Sequence, residues 1–235
     1  MKLVLSLTLA FAAHGIHAQE LRLEDFPWTL TDVESQGVTK EALFKKMDRD
    51  TIVTKSICAN RALMWLYEFK KDYDIDGSKI FLFYTGSRTQ FSVRSWWYHV
   101  APIINEAGTE YVMDAGFPSI KGPLLVKDWV NKFVGNNNCY EIKAGDHDLA
   151  ELMYKGAQFP KETFRGRYDC YYAKVPAGYW FPRMVADSIL GKEVSSEIEE
   201  QQVYSACLEA STGPIGGVLR QGQKKCREFM ARSSI

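Results

Sequence analysis

The sequence predicts an α+β fold: an antiparallel sheet packed against a helix that begins at Cys58, followed by a helical C-terminal region. Three observations lead there. Strand-like runs rich in aromatic and aliphatic residues cluster mid-chain, at Lys79 to Tyr84, Ser95 to Ile104 and Thr109 to Ala115. Helical patterns lie on either side of that cluster. No alternating βαβ series and no glycine-rich phosphate loop is present, which argues against a parallel doubly wound sheet.

Taken in order, residues 1–18 read as a secretory signal: Lys2, an apolar run from Leu3 to Ala13, then Ile16-His17-Ala18 before Gln19. The run is too short to span a bilayer, and no later stretch is long enough. An exported protein, periplasmic or extracellular, is expected, with no membrane partner. Residues 19–50 form a mixed lead-in and a candidate pro-segment, with Trp28 as a packing anchor and a short capped helix from Thr39 to Asp48. Residues 51–235 then form one domain, undivided by repeats or linkers.

Within it, Ser56-Ile57-Cys58-Ala59-Asn60-Arg61-Ala62 opens an amphipathic helix, with Ser56 as N-cap and apolar residues at Ala62, Leu66 and Phe69. It runs to about Asp72, and Asp74-Ile75-Asp76-Gly77 ends it. After the strand Lys79 to Tyr84 and a polar loop come two strands joined through Asn105-Glu106-Ala107-Gly108, a hairpin. Leu124 to Phe133 is amphipathic, Tyr140 to Lys143 and Cys170 to Val175 are strand-like, Asp146 to Lys155 is helical, and the last forty residues are mainly helical.

Loss of Lys2 with the signal takes Lys+Arg from 29 to 28 against 29 Asp+Glu, a formal charge of −1. This balance carries no electrostatic footprint for nucleic acid or an anionic membrane. Of the five cysteines, four are expected to pair in an oxidising compartment. Cys207 with Cys226 would staple a C-terminal helical hairpin, and Cys139 with Cys170 would join two strands, leaving Cys58 free; other pairings stay open.

Cys58 falls in the first turn of its helix, where unpaired N–H groups and the macrodipole favour a thiolate. It is a candidate nucleophile, set against the bland alternative of a buried or paired cysteine. Past the signal only His99 and His147 remain as imidazoles. His147, in Gly145-Asp146-His147-Asp148, reads as a surface residue. If the loop holds two or four residues with facing positions summing to 213, His99 lies directly opposite Asp114, with β-carbons ~4.5–5.5 Å apart, whereas a three-residue loop with Gly108 in a bulge sends them to opposite faces. The bland alternative for His99 and Asp114 is a cross-strand polar pair on a solvated face; against it, Asp114 sits among Tyr111-Val112-Met113 and Ala115-Gly116-Phe117, an unusually apolar setting for a structural aspartate. Cys58, His99 and Asp114 thus form a nucleophile, base and orienter. By alternation Trp97 shares a face with His99 and is a candidate wall of the substrate cleft. No metal and no cofactor are expected: there is no His-Glu-x-x-His and no closely spaced cysteine pair.

These residues resemble those of the secreted bacterial protein-glutamine glutaminases, or protein deamidases. The resemblance rests on Cys58-Ala59-Asn60-Arg61-Ala62 as Cys-x-x-Arg-Ala and on Ser95-Trp96-Trp97-Tyr98-His99-Val100-Ala101 as Ser-Trp-x-Tyr-His-Val-Ala. Asp114, Gly122-Pro123, Trp129 and Cys139 follow in similar order, over about residues 55 to 140. The family's aspartate is commonly followed by Pro-Ser, where this chain has Ala115-Gly116.

The resemblance implies a transglutaminase/papain-like core, a Cys58-His99-Asp114 triad, glutamine-containing proteins or peptides as substrates, and deamidation to glutamate with release of ammonia. A monomer is expected. The same triad would serve a transglutaminase or a cysteine protease, and a non-catalytic secreted binding module is the reading from a different class.

Overall fold

The computed structural model describes residues 30–47, 58–84, 98–135, 138–143, 145–146, 168, 170–179 and 182–191. The expected signal, Ser56, Trp97, His147 and the Cys207–Cys226 pair lie outside these residues.

A 3₁₀ turn at Val33–Gln36 is followed by helix α1 (Lys40–Lys46), whose N-cap Thr39 accepts a hydrogen bond from Ala42 N at 3.2 Å. Helix α2 spans Cys58–Tyr73. Strands β1 (Ser78–Tyr84), β2 (Tyr98–Glu106), β3 (Thr109–Val112) and β4 (Leu124–Leu125) come next. Then follow α3 (Val126–Val134), β5 (Cys139–Ile142), β6 (Cys170–Pro176) and α4 (Pro182–Ile189).

The strands form one sheet in the order β4-β3-β2-β1-β6-β5. The fold is α+β, and every pairing is antiparallel except β5 with β6. That exception follows from connectivity: a long crossover, not a hairpin, joins those two strands. At their junction Cys139 faces Cys170 across the ladder and bonds to it, with Cα atoms 4.5 Å apart.

Two apolar clusters fill the molecule, and α2 contributes to both. Its Leu63, Leu66 and Phe69 pack with Ile80, Leu82, Ala101, Ile103, Trp129 and Phe133. Ala59 and Ala62 pack with Phe81, Phe83, Val100, Tyr171 and Val185. The small residues at the start of α2 let its first turn lie close to the sheet.

The lead-in from Leu30 belongs to the same packing. Val33, Leu43, Phe44 and Met47 are buried in the first cluster. Thr31 N donates to Asp76 O at 2.9 Å, Lys40 N donates to Glu106 Oε1 at 2.9 Å, and the Lys40 ammonium pairs with the Glu106 carboxylate. Phe44→Ala therefore removes a filled core position, with an expected loss of about 3–5 kcal/mol in a urea unfolding series. A loss below about 1 kcal/mol would fit a loosely attached segment.

The hairpin differs from the expected register by two residues. Glu106 faces Thr109 and Ile103 faces Val112, so Ala107 and Gly108 alone form the loop. Both have positive φ, 50° and 77°, the twist-matched geometry of two-residue hairpins. Ala-Gly lacks the Asn or Asp that signals such a turn, which is why the pattern suggested a loop shifted toward Asn105. An even shift keeps side chains on their faces. His99 and Asp114 therefore still share one face, but diagonally, with Asp114 just beyond the end of β3.

Candidate active site

Three elements bring the site together. Cys58, a partly exposed free thiol, is the first residue of α2. His99 comes from the start of β2, level with Leu82 on β1, and is fully buried. Asp114 follows β3, 1 % exposed, placed there because Met113 N still donates to Pro102 O at 2.9 Å and carries the chain one residue past the ladder.

His99 Nε2 lies 2.7 Å from Asp114 Oδ2. With Nε2 engaged, Nδ1 is the ring nitrogen left for Cys58, and thiol and imidazole lie near enough that each perturbs the titration of the other. A carboxylate on one ring nitrogen fixes the tautomer and orientation at the other. Asp114 is itself held by three donors: Oδ2 also accepts the Trp129 indole N–H at 2.9 Å, and Oδ1 accepts Gly116 N at 3.3 Å.

Aromatic rings enclose the imidazole. Phe133 lies 4.6 Å from it between centroids, Phe117 meets it edge-on at 5.0 Å, and Trp129 stacks at 5.6 Å. Arg61, one turn after Cys58, lies over Gly116. A β-carbon at Gly116 would stand 3.3 Å from Arg61 Nε and Nη2 and 3.2 Å from Asp114 Oδ1, so a residue without a side chain suits this position.

The electrostatics favour a thiolate–imidazolium pair. Burial alone would push the Cys58 thiol up, but the His99 hydrogen bond and charge, then the Arg61 charge and the Val100 backbone, hold it below its ordinary value. Burial would likewise lower His99. The Asp114 charge and hydrogen bond, with the bond and charge of Cys58, outweigh burial and raise it to about 9. Tyr98, next to His99, is pushed up to about 12 by burial and then by the Cys58 charge.

Alkylation by iodoacetamide reads this pair directly. Because the thiol is lowered, the rate at Cys58 should reach its plateau at a lower pH than an ordinary thiol does. An ordinary thiol gives a rate still climbing through pH ~8.5, and that result would contradict the ion pair.

Of the residues singled out from sequence, Cys58, His99 and Asp114 meet in space, and Trp97 lies outside the described residues. The roles of Trp129, Phe117, Phe133 and Arg61 around them went unassigned. The signal available was the stripe of α3, whose Trp129, Val130, Phe133 and Val134 are the buried face. Among the described residues no group of three or more His, Cys, Asp or Glu side chains could hold a metal ion.

A helix-borne thiol, a buried imidazole and a carboxylate on an α+β frame make up the kind of arrangement that amide hydrolases of the cysteine type use. Residues 40–133, which carry all three groups and Trp129, match the model of a family described as glutaminase. Among solved structures, the NMR structure of protein-glutaminase from Chryseobacterium proteolyticum is similar to the chain at 16% identity, covering 80% of this chain and 95% of that one, with a TM-score of 0.41. No curated protein matches the chain.

Proposed function

We propose that this protein is a secreted deamidase that converts glutamine side chains of proteins or peptides to glutamate, using Cys58, His99 and Asp114. The observation that carries the reading is the buried His99 Nε2–Asp114 Oδ2 contact at 2.7 Å, behind an imidazole that is electrostatically coupled to the Cys58 thiol.

In the proposed reaction the Cys58 thiolate adds to the glutamine amide carbon. As the tetrahedral intermediate collapses, the C–N bond breaks, His99 gives its proton to the leaving nitrogen, and ammonia departs from a thioester. His99, now neutral, takes a proton from water as the water oxygen attacks the thioester carbon. The C–S bond breaks, glutamate leaves, and the thiolate–imidazolium pair is restored. The Cys58 backbone N–H, in the first turn of α2 where helices leave their N–H groups without intrahelical acceptors, is one donor to the developing oxyanion. Trp97 is kept as a proposed wall of the cleft.

Export through residues 1–18 is part of the reading, supported by the Cys139–Cys170 bond, which persists in oxidising compartments. No helix among the described residues is long and apolar enough to cross a membrane. We further propose that any trimmed pro-segment ends before Leu30, because Val33, Leu43, Phe44 and Met47 are core. The chain is proposed to act as a monomer.

The test is ammonia release from casein by the purified protein and by Cys58→Ala, with a gel run for crosslinks and fragments. Cys58-dependent ammonia with intact, uncrosslinked casein supports the deamidase. Crosslinks would reassign the thioester to an amine acceptor, fragments would indicate a protease, and none of the three would leave a binding module.

A further inference from the structure

We propose that Trp129 is a positioning residue of the Cys58-His99-Asp114 series, acting through the indole N–H that it donates to Asp114 Oδ2 and through the ring face laid on His99. The inference rests on the triad proposed above and goes beyond it to how the carboxylate and imidazole are held.

Trp129 is fully buried, and a buried indole N–H needs an acceptor. Its acceptor is the same oxygen that meets His99, at 2.9 Å against 2.7 Å, so both lone pairs of Oδ2 are used. Gly116 N at 3.3 Å takes Oδ1. Rotation of the carboxylate would break these bonds together, which leaves one orientation for the oxygen that orients His99.

The ring adds a second constraint. Trp129 stacks on the imidazole with an interplanar angle of 29°, and the ring of Phe133 packs against both at 4.6 and 5.2 Å. A protonated imidazole against an aromatic face is favoured by the ring quadrupole. The same rings keep water off the His99–Asp114 contact, where a dry setting strengthens a charged hydrogen bond. Helix α3 delivers this: its first residue directly follows β4, which is paired to β3, so Trp129 is tied to the strand that ends beside Asp114.

The test separates the N–H from packing. Trp129→Phe is compared with a variant carrying 3-benzothienylalanine at 129, which keeps the shape of indole and lacks the N–H. Trp65→Phe, a core indole in α2, serves as control. With casein, both Trp129 variants should lower kcat about tenfold to a hundredfold with little change in KM. The alkylation rate of Cys58 should then need higher pH to reach its plateau, and Trp65→Phe should show neither effect. If Trp129→Phe does not fold, the isostere still decides. An isostere with the kcat and alkylation curve of the unaltered protein overturns the positioning role, as does a loss matching that of Trp65→Phe. Cys58→Ala is measured alongside: ammonia release that does not depend on Cys58 overturns the triad and this inference with it. Cys58-dependent release combined with an unaffected isostere overturns this inference alone.

Discussion

Cys58→Ala is expected to lower ammonia release to background, a loss of about a millionfold where the assay can follow it. In the proposed reaction the sulfur forms the thioester, and His99 and Asp114 without it have nothing to deprotonate but water. The fold should survive, because Cys58 is partly exposed and alanine suits the first turn of a helix. Circular dichroism and the thermal midpoint should therefore change little while activity disappears. Retention of more than a small fraction of the rate would place the nucleophile elsewhere. A non-catalytic binding module would give only the mild packing effect, with no activity to lose.

Asp114→Asn carries the second large effect, about ten-thousandfold in kcat. All three groups that meet this carboxylate are donors or act as donors: His99 Nε2, Trp129 Nε1 and Gly116 N. An amide has one acceptor oxygen and one NH₂. If NH₂ faces His99 and Trp129, the imidazole must put its proton on Nδ1, toward the sulfur, and the indole N–H loses its acceptor. If NH₂ faces Gly116, two donors meet.

Either orientation lowers His99 from about 9, since the Asp114 charge and hydrogen bond are what outweigh burial there. The sign of the pH effect follows. A raised histidine stabilises the fold fully below its unfolded value of about 6.5, and that contribution fades as pH rises through about 9. The stability gap between the unaltered protein and Asp114→Asn should therefore be widest below neutral pH and narrow toward pH 9, read as the difference in thermal midpoints. A gap that widens with pH would contradict the charge on His99.

Much of this site was legible before the structure. Cys58 stands where a Ser-x-Cys start meets an apolar period, and a histidine two residues from a tryptophan in a strand-like run has few neighbours to choose from. The α+β class followed from where strand-like runs cluster, and Cys139 with Cys170 was one of several pairings the cysteine count left open. What was not legible depends on backbone conformation and distant packing. Ala107 in the positive-φ region moved the hairpin register by two residues, a placement that the preference for Asn or Asp at such turns does not anticipate. The burial of Val33, Leu43 and Phe44 is set by their joining the first core cluster, which residues far along the chain complete, and leaves little local mark on the lead-in. The indole N–H of Trp129 is silent in sequence, because an amphipathic stripe reports which residues face inward and not which atom finds an acceptor.

The measurement that tests the central claim most directly is peptide mass mapping of casein treated with the purified protein in heavy-oxygen water, with Cys58→Ala as the comparison. The expected result is conversion of glutamine to glutamate at defined sites, the heavy oxygen in the new carboxyl group, and neither crosslinks nor chain breaks. Unchanged glutamines, or conversion that persists in Cys58→Ala, would contradict it.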